Sequence, residues 1–537
     1  MCKNHQHHTP VAAKQDKNHD TEHRSWNRRS FLQAMGLAGA GGMMLGGLPV
    51  NAANRSTLGA ALDAVTNDRV LVVIRLKGGN DGLNTIVPLN DYGTYASLRP
   101  SIGLSQSSLY NLDADNGLPS FMSSLQSRWG NGEMKVIHAT GYSVQNLSHF
   151  GSSDIWATGD VTQAEDTGIL GRFLENEYPN YLLNPPSVPA AIQIGNQGNS
   201  LFDGTNTSYA FNVADPNQLA QIAQTGASHD VLNVPGCTYG DRLQFMRSVT
   251  NTTFTYAGVI NQAYTSSTTS ASFNNNDFAD QLAIVSRLIK GNLGTKIYMV
   301  SIGGFDTHAN QANDHAGLMT RLTEAVDAFY TDLAASGYDQ NVVAMTISEF
   351  GRRVEENGSN GTDHGAAAPS LVFGPALNGN GFIGSQPSLT NLDVNGNMIH
   401  TTDFRQIYAT MLKDWLCADP AVVDQVLLNG TYSTLNLGFD CSTVSVNDES
   451  LQAADHMPLY PNNRPSIYFR LNEAKQLDIR LFDTMGREVA MIANDFYLPG
   501  EHTVDVMQSV GNSLRTGQYI YQINAGNKVM SKSIMVR

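Results

Sequence analysis

The apolar runs Val70 to Leu76, Ile297 to Ile302 and Val342 to Ile347 are nearly continuous rather than alternating, the pattern of strands covered on both faces. Met134 to Ala139, Ala190 to Ile194 and Pro369 to Phe373 are shorter runs that also read as strands. Between them the period changes. Phe278, Leu282, Val285 and Ile289 fall at helical spacing, as do Leu318, Leu322, Val326, Phe329 and Leu333. Thr401 or Thr402 is placed to cap a helix whose apolar face is Phe404, Ile407, Met411 and Trp415. This alternation predicts an α/β fold with a mainly parallel sheet and helices on both faces. Thr265 to Asn276 is low in apolar content and predicts a surface excursion.

Near Cys441 the texture changes. Ser442 to Pro465 is polar and ends in YPNNRP, which predicts a linker. From Ser466 onward short runs alternate apolar and polar, as in LDIRLFD, EVAMI, GQYIYQINA and KSIMV, and glycine turns separate them. That pattern predicts a small β-sandwich. The expected organisation is an amino-terminal region over 1–53, an α/β domain over 68–440, a linker over 441–465 and the sandwich over 466–537.

The amino-terminal region reads as an address. Asn27 to Gln33 is NRRSFLQ, followed by a weakly hydrophobic, glycine-rich run from Ala34 to Leu48 and the small residues VNAA at Val50 to Ala53. The run is too short and too rich in glycine to span a membrane stably, so no transmembrane span is expected in the mature chain. It resembles a twin-arginine export signal, with Asn27 in place of the usual Ser or Thr. The resemblance implies handling by export machinery and often a metal or cofactor loaded before export. The last segment, with FDTMGREV, LRTGQYIYQI and the closing KSIMVR, resembles the sorting domain of the type IX secretion system. Together these imply a periplasmic, cell-surface or extracellular location.

The charge balance fits such a place. With 33 basic against 48 acidic residues the chain carries a formal net charge of −15, which argues against nucleic acid or an anionic membrane surface as the main partner. Its 537 residues are enough for about two or three folded units. Beyond the signal, Cys237, Cys417 and Cys441 form no CxxC pair, and an oxidising compartment would allow a Cys417–Cys441 disulfide.

The candidate chemistry sits just past the predicted strands. Residues beyond the carboxyl ends of strands in an open α/β sheet converge on one crevice, whatever their separation in sequence. Asp81 lies in KGGNDGLN, Asp306 and His308 in GGFDTHAN, Glu349 in SEFGR, and Asp363 with His364 in TDHG. Carboxylates and imidazoles so gathered suit a divalent metal, with zinc expected first and calcium, magnesium or manganese as alternatives. Asp306 and His308 are two apart, so extended backbone points both to one side. Glu349 reads as a ligand or a base, and Arg352 and Arg353 could hold an anionic group. Ser148, at an expected helix start in NLSHFGSSDIWATG, is the hydroxyl placed to act as nucleophile, with His149 beside it as ligand or proton carrier.

In order and spacing, LKGGNDGLNTIVP, SHF, GGFDTH, SEFGR and TDHGAAAPSLVFG resemble the bacterial proteins grouped as domain of unknown function 1501, over residues 68 to 420. That family is similar in outline to the alkaline phosphatase and sulfatase superfamily. The resemblance implies an alkaline phosphatase-like fold, Asp81 as a first-strand metal ligand, and Asp306, His308 and His364 as one metal site. Glu349 stands where the superfamily usually shows an Asp-His pair, but Phe350 follows it. The implied activity is metal-dependent hydrolysis of an anionic phosphate or sulfate ester. The alternative is a non-catalytic surface protein of the same fold that binds glycan or protein.

Overall fold

The computed structural model describes residues 68–441 and 456–536, apart from short segments within each. The region over 1–53 expected to be an export signal and most of the expected linker lie outside the described residues. The described residues fall into two units that part at Cys441.

The larger unit is built on a nine-stranded sheet. Its strands are β1 (Val70–Lys77), β2 (Met134–Gly141), β3 (Ala191–Ile194), β4 (Ala210–Val213), β5 (Ile297–Gly303), β6 (Val342–Ser348), β7 (Ala368–Phe373), β8 (Gly381–Ile383) and β9 (Thr402–Asp403). The spatial order is β8-β2-β7-β6-β1-β5-β3-β4, with β9 beside β2. Successive residues Val70 to Ile74 of β1 are all buried, so both faces of the sheet are covered, as a continuous apolar run requires. The four helices that matter below are α1 (His149–Thr158), α2 (Asp277–Lys290), α3 (Gln311–Ala334) and α4 (Phe404–Thr410).

Strand direction decides where the chemistry collects. β1 runs parallel to β5 and β6, while β7 runs antiparallel to both β2 and β6. The carboxyl ends Lys77, Gly141, Gly303 and Ser348 therefore share one edge of the sheet, and β7 begins at that same edge with Ala368. Five connections, at 78–85, 142–149, 304–308, 349–353 and 363–367, emerge together there.

Two local features depart from expectation. The cap of α4 is Asp403, in a capping box with Gln406, and not Thr401 or Thr402. Thr402 is instead paired with Thr140 at the end of β2, which leaves the next residue at the helix start. The predicted helix also stops at Thr410 and continues as a π-helical turn from Met411 to Trp415. Trp415 is buried and donates from Nε1 to the Val70 carbonyl at 3.0 Å, fastening this turn to the start of β1. A disulfide joins Cys417 to Cys441 across a Cα separation of 5.7 Å.

The excursion before α2 is mostly exposed but tied down. Asp332 of α3, fully buried, accepts from the Ser270 and Ala271 amides, from Ser286 Oγ and from Lys290 Nζ. Burial pushes its carboxyl up, but those hydrogen bonds outweigh it and hold the pKa down at about 2. The unfolded value is about 3.9, so the stabilisation is fully present above that pH and is lost as pH falls toward the folded value. We expect Asp332→Asn to be less stable than wild type by about 2–3 kcal/mol at pH 7, the linkage value of such a shift. Urea melts from pH 7 to pH 2 should show that gap closing below about pH 4, and a gap independent of pH would refute the assignment.

The smaller unit holds two antiparallel sheets. One pairs His456–Leu459, Ser466–Leu471 and Gly500–Asp505, and the other pairs Glu488–Tyr497, Lys475–Asp483, Gly517–Asn524 and Val529–Val536. Ile467 and Phe469 from the first share a core with Leu477, Ile479, Leu481, Tyr521 and Ile534 from the second, which makes the pair a small β-sandwich. No helix among the described residues is long and apolar enough to cross a membrane.

Candidate metal centre

Two glycines let the strand exits approach each other. Gly78 and Gly79 follow β1 with φ of +117° and +85°, a region that side-chain-bearing residues rarely adopt. A Cβ at Gly78 would collide with the Asp306 backbone, and one at Gly79 with the Phe350 ring. Arg352, fully buried, then staples the segments. Its guanidinium donates to the carbonyls of Gly78, Gly79 (2.9 Å), Phe305 (2.8 Å) and Thr362 (2.9 Å), and to Asp306 Oδ1 at 2.7 Å. One N–H contact thus fixes Asp306, while the rest hold the loops that surround it.

Three imidazoles converge on that carboxylate. His308 Nε2 and His364 Nε2 each lie 3.1 Å from Asp306 Oδ1, and His149 Nε2 lies 3.4 Å from Oδ2. The Nε2 atoms of His308 and His364 are 3.0 Å apart. Each ring is backed by an acceptor at Nδ1. His149 meets Glu349 Oε2 at 2.7 Å, His364 meets the Leu147 carbonyl at 2.8 Å, and His308 meets Asp363 Oδ1 at 3.3 Å. A carbonyl or carboxylate accepts only, so the tautomer with its proton on Nδ1 satisfies each of these acceptors and leaves Nε2 able to ligate a cation at the common point. Phe350, 2% exposed, packs against the His149 and His364 rings with centroids at 5.1 and 4.3 Å.

The electrostatics suit a cation. Burial pushes the Asp306 carboxyl up, yet Arg352, His364 and His308 outweigh it and hold the pKa at about 2. Burial lowers His364 below the ordinary imidazole value despite the Leu147 carbonyl and Asp306, which keeps the ring neutral and able to ligate. In the Nδ1-protonated tautomers the two Nε2 lone pairs, 3.0 Å apart beside a carboxylate, would repel unless a cation stood between them. A tetrahedral site with bonds of about 2.0–2.1 Å has donor-to-donor edges of about 3.3 Å, close to the separations here. His149, Asp306 and His364 offer ligand atoms all within 4.8 Å of one another, and His308 adjoins them. The donor set fits a divalent ion.

The residues singled out in the sequence take distinct places. Asp306, His308 and His364 meet as donors, and His149 joins them as a fourth. Glu349 and Asp363 stand one shell further out, against ring nitrogens rather than at the common point. Asp81 is not brought to the cluster. It is fully buried, paired with Arg99 Nη1 at 2.6 Å, and accepts from Gln311 Nε2 and the Leu83 amide. Its carboxyl is lowered because Arg99 outweighs the opposing effect of burial. Arg352 has its guanidinium committed to carbonyls and Asp306, and Ser148 is exposed at the start of α1 with no capping hydrogen bond from its hydroxyl.

Sequence reasoning did not name Arg99, Gln311, Arg75 or the Leu147 carbonyl. Arg75 alone left a signal, as the charge inside the apolar run of β1, and it lies 3.5 Å from Glu349 Oε1. Arg99 and Gln311 matter through contacts across the fold, and a backbone carbonyl has no sequence signature.

A family model described as "Protein of unknown function (DUF1501)" matches residues 241–425. Comparison with curated proteins gives no match. Among solved structures, the chain is similar to the lipoteichoic acid synthase LtaP from Listeria monocytogenes, at 9% identity over 60% of this chain and 70% of that one, with a TM-score of 0.27. It is similar to the alkaline phosphatase from the Antarctic bacterium TAB5, at 10% identity over 68% and 99% of the two chains, with a TM-score of 0.26. A protein in the alkaline phosphatase superfamily from Vibrio parahaemolyticus is similar at 9% identity over 84% and 85%, with a TM-score of 0.28.

Proposed function

We propose that this protein is an exported, metal-dependent hydrolase of phosphate or sulfate esters, with one divalent ion held by His149, Asp306, His308 and His364. The observation that carries the reading is the convergence of three Nδ1-anchored imidazoles and one ionised carboxylate at the carboxyl edge of the sheet. An ion bound there supplies Lewis acidity to an ester oxygen and lowers the pKa of a water ligand. The remaining roles belong to the chain. Arg352 fixes Asp306, Glu349 and Asp363 hold the ligand tautomers, and the Leu147 carbonyl aims His364. Ser148 precedes His149 at the start of α1, where the helix dipole favours an alkoxide or a bound anion. Zinc is the first choice for a histidine-rich tetrahedral set. The Cys417–Cys441 disulfide and the signal-like amino terminus support an oxidising, exported location.

The test is direct. Purified mature protein should carry about one divalent ion per chain, and aryl phosphate, phosphodiester or sulfate turnover should vanish on chelation and return with metal. A chain without metal would refute the reading. Glu349→Gln removes the charge behind His149 while keeping an acceptor, and should weaken zinc by about 10–100-fold in competition with a chromophoric chelator. Unchanged affinity would mean that Glu349 does not orient the ligand.

A second reading is favoured by Arg352. Its guanidinium is spent on carbonyls and Asp306, and this arginine presents no face to an anionic ester. A surface protein that keeps the metal for structure and binds glycan or protein would show metal without turnover on any ester.

A further inference from the structure

A second polar cleft lies behind the metal centre. Arg75 of β1, Ser153 and Trp156 of α1, Tyr408 of α4, and Ser348 with Glu349 at the end of β6 line it. Glu349 stands between the two places, with Oε2 at 2.7 Å from His149 Nδ1 and Oε1 at 3.5 Å from Arg75 Nη2. Two of the lining residues bring polar atoms that nothing receives. Trp156 is 5% and Tyr408 1% exposed, and among the described residues neither the indole Nε1 nor the phenol oxygen has a hydrogen-bond partner. A buried donor without an acceptor has lost its water and gained nothing, a cost that native proteins seldom leave standing. Two such groups on one cleft point to an occupant that accepts from both.

The chemistry of the walls narrows that occupant. The acceptors on the cleft are already engaged. Ser348 Oγ receives the Asn80 amide at 2.9 Å, and the side-chain oxygen of Asn199, which also borders the cleft, receives the Leu201 amide at 2.9 Å. Ser153 Oγ and Glu349 Oε1 both face Arg75 Nη2, at 3.0 and 3.5 Å. What is left over is donors. An indole N–H can only donate. Burial raises the Tyr408 pKa although Arg75 opposes it, so the phenol keeps its proton and can donate too. Arg75, 20% exposed, adds a positive charge where the cleft meets solvent. The room between the walls is that of about one water molecule, too little for a phosphate or an organic acid.

We propose that Arg75, Trp156 and Tyr408 form a binding site for one monatomic anion, chloride in a saline medium. The guanidinium supplies the charge, and the indole and phenol supply directed donors without adding another. Water is the competing occupant of the same size. A water molecule has two hydrogens of its own to place, however, and the acceptors here are taken, whereas an anion needs donors alone. The Glu349 carboxylate opposes an anion and Arg75 offsets it, so the affinity should be modest, with half-saturation on the order of 10 mM. This site is separate from the four-donor cluster and does not depend on ester hydrolysis there.

Two measurements on zinc-loaded full-length protein test it. Crystals soaked in sodium bromide should show an anomalous peak within hydrogen-bonding reach of Trp156 Nε1 and Tyr408 Oη. Replacing gluconate by chloride at about 0.1 M and constant ionic strength should raise the wild-type Tm by about 1–3 °C, the mass-action gain from a ligand near ten times its Kd. Tyr408→Phe, which removes a single oxygen and keeps the ring, should lose most of that rise, and so should Arg75→Met. Asp306→Asn should keep it, since the anion rests on Arg75 and not on the metal. A cleft without bromide, no rise in wild type, an equal rise in Tyr408→Phe and Arg75→Met, or loss of the rise in Asp306→Asn overturns the site. None of these results bears on ester hydrolysis, which the chelation experiment decides by itself.

Discussion

Asp306→Asn should strip the protein of its metal and reduce any ester turnover by about 10³-fold or more, the scale of losing several kcal/mol of transition-state stabilisation. Among the described residues, Asp306 contributes the one carboxylate at the point where the three Nε2 atoms meet. An amide there keeps an acceptor for Arg352 and removes the charge that balances a dication, so the scaffold should survive. Thermal melts can separate the two effects. A ligand bound only by the folded state stabilises it by mass action, so chelator should lower the wild-type Tm and leave that of Asp306→Asn unmoved. His364→Ala should behave likewise, since it removes a donor whose Nδ1 is held by the Leu147 carbonyl and whose lowered pKa keeps it neutral. Metal content equal to wild type in either variant would refute the four-donor centre.

The parts of this centre that were legible in the sequence are those set by local pattern. Continuous apolar runs gave β1, β5 and β6 to within a residue or so, and strand direction then placed Asp306, Glu349 and His364 at one edge. The helical periods around Leu282 and Leu322 correspond to α2 and α3. The division of labour among the acids was not legible. Asp81 and Asp306 both follow a strand and a glycine pair, yet one faces Arg99 inside the protein and the other faces solvent and three imidazoles. What separates them is the position of Arg99 and Gln311, residues 18 and 230 positions from Asp81, and no local rule reports that. Glu349 was equally ambiguous. Its side chain is 6% exposed and turned toward His149 and Arg75, so it backs the His149 ring instead of meeting Asp306. The cap of α4 was displaced by a residue because Thr402 was needed in the sheet.

Arg99→Ala should cost about 3–5 kcal/mol, the range for leaving a buried carboxylate without its partner. Arg99 and Asp81 are both fully buried, and the guanidinium also donates to the carbonyls of Val354 (2.8 Å) and Arg353 (2.7 Å) and to Asn84 Oδ1 at 3.2 Å. Truncation therefore strands a charge and several acceptors at once. A double variant, Asp81→Asn with Arg99→Met, removes both charges with roughly conserved volume and should recover part of that loss, because a buried pair is often replaceable although half of one is not. The Asp81 carboxyl is lowered, so its contribution is present above the unfolded value near 3.9 and fades as pH falls below it. Urea melts of the single and double variants at pH 7 decide the matter. A penalty below about 1 kcal/mol for Arg99→Ala would place the pair among weak surface contacts. The same substitution reaches the metal centre through the chain, because Arg353 and Val354 follow Arg352, the residue that holds Asp306. Zinc affinity in Arg99→Ala should fall even where the protein remains folded, whereas the double variant should lose it too, since neither Asn nor Met restores the bonds to those two carbonyls. Stability recovered without zinc affinity would separate the charge effect of this pair from its role in placing the 352–354 segment.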